Sequence, residues 1–155
     1  MEKEDRIRGL LKKGEILEIE KELENAVDLS VNLKILKTLI KVFKVEIQNN
    51  IEHSIFEYSV DFDELILHYK KIKALLRRVE FDLPMQEVIE LYSYCTENRV
   101  SQFLLGVIIL SSMYHRKKVC KRVIDLWKQN GEEDTAFIRY LNSVEKYLEG
   151  QQDEQ

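Results

Sequence analysis

The most constraining feature of this sequence is the stretch Val100–Lys128, which is apolar in its first half and basic in its second. Between Phe103 and Leu110 only Gly106 interrupts a run of apolar side chains. A helix that is apolar on every side must be covered by other elements on every side. The run is well short of the roughly 20 residues that a membrane-spanning helix needs. We therefore predict a buried central helix here, with the rest of the chain packed around it.

Two further predictions come from the same stretch. Glycine inside a helix costs roughly 1 kcal/mol relative to alanine, so Gly106 indicates a place where another helix approaches closely. The basic half predicts an amphipathic helix, Arg116–Lys128. Its inner positions are Val119, Cys120, Val123, Ile124 and Trp127. Its outer positions are the bases Arg116, Lys117, Lys118, Lys121 and Arg122.

Composition favours an all-α fold. The chain has 155 residues with five glycines and one proline, far fewer than the tight turns of an all-β domain of this length require. Long stretches rich in Leu, Ile, Lys and Glu are typical of helices. A chain of this length suffices for one domain with a substantial core. We predict a single all-helical domain over residues 1–149 and a disordered polar tail over residues 150–155.

Periodicity and capping signals predict eight to nine short helices. They are Glu2–Lys13, Glu15–Val27, Val31–Gln48, Ile51–Ser59, Phe62–Glu80, Met85–Cys95, the central helix, Arg116–Lys128 and a last helix capped by Asp134. The predicted N-caps include Ser30, Asp61 with Glu64 in a capping box, and either Asn98 or Ser101. Short turns between successive helices predict consecutive antiparallel hairpins, forming either an α-solenoid-like array or an irregular bundle. The pattern resembles helical-hairpin repeats, but it has no fixed period and lacks the tetratricopeptide and ankyrin signatures.

Two helix faces near the N-terminus carry opposite charge. The predicted second helix has an apolar stripe of Ile16, Ile19, Leu23 and Val27. Its other face holds Glu18, Glu20, Glu22 and Glu24. The third helix presents a lysine face of Lys34, Lys37, Lys41 and Lys44. Charged faces of this kind are usually solvated.

No catalytic or metal-binding motif is evident. His53, His68 and His115 are far apart in the sequence; Glu64 and His68 share a helix face, where a surface ion pair is the more common arrangement. The chain has no GxGxxG, P-loop, GxSxG or HExxH motif. We predict no enzymatic activity, no cofactor and no metal.

Three features of the sequence predict a cytoplasmic location. Cys95 and Cys120 occupy apolar helix positions, which predicts two buried free thiols in a reducing compartment. The N-terminus is charged throughout and does not look like a signal peptide. No stretch is long and apolar enough for a transmembrane segment.

One segment, Glu90–Ile109, superficially resembles a DNA-binding helix-turn-helix. A recognition helix must present polar side chains to base edges and phosphates. The corresponding helix here would present apolar side chains instead, those of Phe103, Leu104, Val107 and Ile108. The predicted turn is also longer than the usual three or four residues. We set this interpretation aside.

Two functional hypotheses follow. The favoured one is a non-catalytic protein–protein interaction or regulatory module, whose chain can be part of a larger protein or assembly. The alternative is an anion-binding domain for nucleic acid, the less favoured partner, or an acidic membrane surface. Its candidate contacts are Lys70, Lys73, Arg77, Arg116, Lys117, Lys121 and Arg122. The sequence leaves open the protein partner, the oligomeric state and whether the basic faces converge.

Overall fold

The protein is described by a computed structural model covering residues 2–48, 61–82, 84–110, 116–131 and 136–153. These residues form eight α-helices and no strand, which confirms the predicted all-α class. The helices are α1 (Glu2–Lys13), α2 (Ile16–Glu24), α3 (Val31–Gln48), α4 (Phe62–Asp82), α5 (Met85–Thr96), α6 (Arg99–Leu110), α7 (Arg116–Gln129) and α8 (Ala136–Asp153). The predicted helix Ile51–Ser59 and the predicted cap Asp134 lie outside the described residues.

The central helix is α6, as the sequence predicts. It packs against α3, α4, α5, α7 and α8, and every residue from Phe103 to Ile109 is buried. Gly106 faces α8, where a Cβ atom would overlap the ring of Tyr140. That ring stacks on Phe103 with centroids 5.4 Å apart, which confirms that the glycine permits a close approach between two helices.

The C-terminal five helices form two layers. Helices two apart along the chain lie side by side, α4 with α6 and α6 with α8 in one layer, and α5 with α7 in the other. Met85, at the start of α5, contacts Arg122, and Tyr92, two turns later, contacts Trp127 and Asn130. The residue numbers rise together on both helices, so α5 and α7 run parallel, as alternate members of consecutive antiparallel hairpins should.

Side-chain caps start three of the helices. The Ser30 hydroxyl accepts a hydrogen bond from the backbone N–H of Leu33 at 3.3 Å, and the Asn98 carboxamide oxygen accepts two from the start of α6. The Asp61 carboxylate accepts from the N–H of Asp63 at 3.1 Å. Its predicted capping-box partner, Glu64, lies near His68 on the next turn of the helix.

The predicted burial of Val27 is wrong. Helix α2 ends at Glu24, and Asn25 takes the C-cap position with its N–H bonded to the Lys21 carbonyl. The chain then leaves the helical path, so Val27 is 99 % exposed and Leu29 packs against the core instead. At the other end of the chain, α8 continues to Asp153, beyond residue 149, where the sequence predicts the tail to begin.

Candidate interaction surface

The lysine face of α3 is partly matched by the acidic face of α2. Lys44 forms an ion pair with Glu20 at 2.8 Å, and Lys37 approaches Glu24 at 3.9 Å. The crevice between these helices does not enclose enough space for a water molecule. Two of the four α3 lysines are therefore neutralised within the fold, which makes this face a poor anion site.

The three candidate cations of α4 share one exposed stripe. Lys70, Lys73 and Arg77 recur at i, i+3 and i+7, so they lie on one side of the helix. No carboxylate of the described residues lies within ion-pair distance of any of them. Arg78, about 100° further round the helix than Arg77, differs because it reaches Glu90 of α5 at 3.3 Å.

The candidate cations of α7 are only partly described. Lys121 and Arg122 are exposed, and the Arg122 guanidinium lies 3.5 Å from the sulfur of Met85. Arg116 and Lys117 belong to the first turn of α7, but the structure does not describe their side chains. Helices α4 and α7 pack against each other.

Helix α5 carries two exposed apolar side chains. The exposed large apolar residues of the described chain are Leu17, Val27, Val31, Leu67, Met85 and Ile89. Met85 and Ile89 are 46 % and 39 % exposed and lie one turn apart on a single helix. They fall outside the core stripe of α5, which is the sequence signal that could have identified them.

These two residues belong to a surface that α5 and α7 build together. Tyr92, half-buried against the core, contacts Trp127 of α7. Leu126, also half-buried against the core, follows Arg122 by one turn of α7. Arg122 lies at the Met85 end of this surface. We call the set Met85, Ile89, Tyr92, Arg122 and Leu126 the α5–α7 surface. It combines apolar area, an aromatic ring and a guanidinium, side chains that are enriched at protein interfaces.

The Glu64–His68 pair belongs to a hydrogen-bonded cluster. His68 Nε2 lies 3.6 Å from Glu64, while Nδ1 lies 2.5 Å from the Tyr94 hydroxyl and 3.1 Å from the Ser101 hydroxyl. An acid, a histidine and a serine in this order resemble a catalytic triad, but Ser101 is fully buried, so a substrate cannot reach its oxygen. Burial raises the pKa of Tyr94. The cluster joins α4, α5 and α6 and is best explained as structural.

Both cysteines are buried free thiols, as predicted. Burial raises the pKa of Cys95 far above its ordinary value, and it raises the pKa of Cys120 to about 12, with Glu145 adding to the shift. The thiolate is the reactive form of cysteine. Neither residue is therefore suited to nucleophilic or redox chemistry in the folded protein.

The buried thiols predict a loss of stability at alkaline pH. The folded chain keeps both thiols protonated, whereas the unfolded chain releases these protons above about pH 9. Raising the pH from about 8 to about 10 should lower the free energy of unfolding by about 1.4 kcal/mol for each thiol. Urea titrations followed by the fluorescence of Trp127 measure this change. The Cys95→Ala, Cys120→Ala double variant should lose less stability over the same range, and equal losses would contradict the prediction.

The turn between α5 and α6 is shorter than predicted, since only Glu97 and Asn98 separate the helices. The length of the turn therefore does not argue against a helix-turn-helix. The burial of α6 does, because a recognition helix must be exposed to reach DNA.

The described residues hold neither a metal-binding cluster nor a membrane-spanning helix. No group of three His, Cys, Asp or Glu side chains lies close enough together to hold a metal ion. None of the described helices combines the length and apolar character needed to cross a membrane.

Comparisons with protein-family models, curated proteins and solved structures give no match to this chain.

Proposed function

We propose that the chain is a non-catalytic protein-binding or regulatory module that engages its partner through the α5–α7 surface. The observation that carries the proposal is the exposure of Met85 and Ile89 one turn apart beside the Arg122 guanidinium. Helical-hairpin arrays bind partner segments along such inter-helix strips without catalytic residues.

The expected contribution of the apolar pair is modest. Fully burying an aliphatic side chain of this size is worth roughly 1.5–3 kcal/mol. Met85 and Ile89 already have about half of their surface covered, so covering the remainder should contribute about 1 kcal/mol each. An interface centred on these residues needs a further anchor, and Arg122 is placed to provide one.

Site-specific photo-crosslinking tests the proposal. A photoreactive phenylalanine analogue at position 89 should yield a discrete crosslinked protein when the chain is irradiated in a lysate of cells that express it. The same analogue at position 67 is the matched control, because Leu67 is 65 % exposed but lies on α4. Equal product patterns from the two positions, or no product from position 89, would refute the proposal.

Anion binding is the second candidate, and it is supported by the exposed stripe of Lys70, Lys73 and Arg77, none of which has a carboxylate partner among the described residues. The pairing of the α3 lysines with α2 counts against a surface that joins all three basic helices. A pull-down from the same lysate, with the chain as bait, distinguishes the two candidates. If the bait retains only polyanions and releases them as salt increases, anion binding is favoured and the protein-binding module is rejected.

A further inference from the structure

The α5–α7 surface is a strip that runs along two parallel helices. Contacts from Met85 to Arg122 and from Tyr92 to Asn130 fix the register of α5 against α7. These contacts lie two helical turns apart on α5, with the exposed Ile89 between them in the sequence, while Leu126 follows Arg122 by one turn of α7 and is half-buried against the core. This length, and the one-turn spacing of Met85 and Ile89, fit an amphipathic helix that lays apolar side chains one turn apart against the surface.

The charge along the strip is uneven. Lys118 and Arg122 are both exposed and lie one turn apart on α7, and no described carboxylate is within ion-pair distance of either. The guanidinium of Arg122 instead contacts a thioether sulfur, which is a weak acceptor. Asp125 follows one turn later, so the excess positive charge is concentrated at the Met85 end.

The carboxylates of α5 do not offset this charge. Glu87 and Glu90 lie on the α4 side of the helix, where Arg78 approaches them at 3.7 and 3.3 Å. Both acids are thus engaged within the fold, and the strip between α5 and α7 keeps its net positive end. An occupant that supplies carboxylates there would pair cations that have no carboxylate partner among the described residues.

We infer that the α5–α7 surface binds an acidic amphipathic helix of a partner protein, with apolar side chains against Met85 and Ile89 and a carboxylate against Arg122. This inference rests on the proposed function, since it specifies the chemistry of the partner. A second copy of this chain and an anionic membrane are the other occupants that the experiment separates.

Fluorescence anisotropy with two labelled peptides tests the inference. Each peptide is a helix of about 15 residues, long enough to be marginally stable alone, with leucines at i, i+3 and i+7. One carries glutamates on its flanks, and the other carries lysines at the same positions. The acidic peptide should bind the full chain at least about tenfold more tightly than the basic one, and its affinity should fall as salt increases.

Three variants locate the binding. Arg122→Glu should lower the affinity for the acidic peptide by at least about tenfold, because it replaces attraction by repulsion. Ile89→Ser should also lower this affinity, because it removes an apolar contact. Lys146→Glu makes the same charge change at an exposed position of α8, outside both candidate surfaces, and should leave the affinity unchanged.

Several outcomes would overturn the inference. These are equal binding of both peptides, indifference to Arg122→Glu, equal sensitivity to Lys146→Glu, or self-association of the chain that Ile89→Ser abolishes. Binding of phosphatidylserine vesicles that Arg122→Glu abolishes, without peptide binding, would also overturn it. If position 89 still crosslinks to a protein after the peptide test fails, the binding module stands and only the acidic helix is rejected. If neither experiment succeeds, both proposals fall.

Discussion

Replacing Ile108 with aspartate is expected to unfold the protein. Ile108 is 1 % exposed within α6, against which α3, α4, α5, α7 and α8 all pack. The change removes apolar burial worth roughly 1.5–3 kcal/mol and introduces a polar group whose burial without partners costs several kcal/mol more. A combined loss of about 5 kcal/mol or more matches the whole stability of many domains, which is about 5–15 kcal/mol.

Far-ultraviolet circular dichroism and thermal melting measure this effect. Ile108→Val provides a graded comparison, with an expected loss of about 0.5–1.5 kcal/mol. Leu67→Asp is the matched control, because the same aspartate is placed at an exposed position of α4, where the cost should stay within about 1 kcal/mol. A wild-type melting temperature for Ile108→Asp would show that α6 is not the core of the fold.

Most helices could be predicted because their signals are local. In α4 the spacing of Phe62, Leu65, Ile72 and Val79 already defines the buried face, and all four residues are buried. A helix boundary is less local, as Val27 shows. Its spacing continues the stripe of α2, but the path of the chain into α3 ends the helix at Glu24. Tertiary packing overrides periodicity at such positions.

The candidate surface was predictable only in part. The sequence identifies Lys121 and Arg122 as outer residues of α7, and both are exposed. It does not show that Arg122 meets Met85, 37 residues earlier, because that contact depends on the parallel register of α5 and α7. The same limit applies to His68, whose Nδ1 meets Ser101 from 33 residues away.

The charge pairing between α2 and α3 is easier to predict than these long-range contacts, but harder than the helices themselves. The acidic face of α2 and the lysine face of α3 are both readable from the sequence, and the two helices are neighbours along the chain. The specific pairs, Lys44 with Glu20 and Lys37 with Glu24, require the relative rotation of the helices, which side-chain spacing does not determine. Exposed pairs of this kind contribute little to stability. Their effect is to occupy two α3 lysines, which would otherwise be available to an anion on this face.

Gly106→Ala is expected to destabilise the protein although alanine is the better helix former. A methyl group at position 106 would overlap the ring of Tyr140. That ring is buried and stacked on Phe103, so it cannot turn aside without disturbing the contact between α6 and α8. Overpacking of this kind costs typically about 1–3 kcal/mol, which exceeds or offsets the roughly 1 kcal/mol gained in helix propensity.

Gly9→Ala provides the matched control. Gly9 lies in α1 with no atom within 4 Å of the position that a Cβ would occupy. The same substitution should therefore stabilise the protein there by roughly 0.5–1 kcal/mol. Urea unfolding of the two variants should give changes of opposite sign, and a stabilising Gly106→Ala would contradict the close approach of α8.

A double-mutant cycle attributes the cost of Gly106→Ala to one contact. Tyr140→Leu removes the part of the ring that the new methyl group would meet, although it has a cost of its own from lost burial. In that background Gly106→Ala should become neutral or stabilising by up to about 1 kcal/mol. If the effects of the two changes are additive, the glycine leaves space for a neighbour other than Tyr140. Strong coupling would show that α6 and α8 make their close contact at Gly106. The residue that lowers the helix propensity of α6 would then also be the residue that lets α8 pack over it.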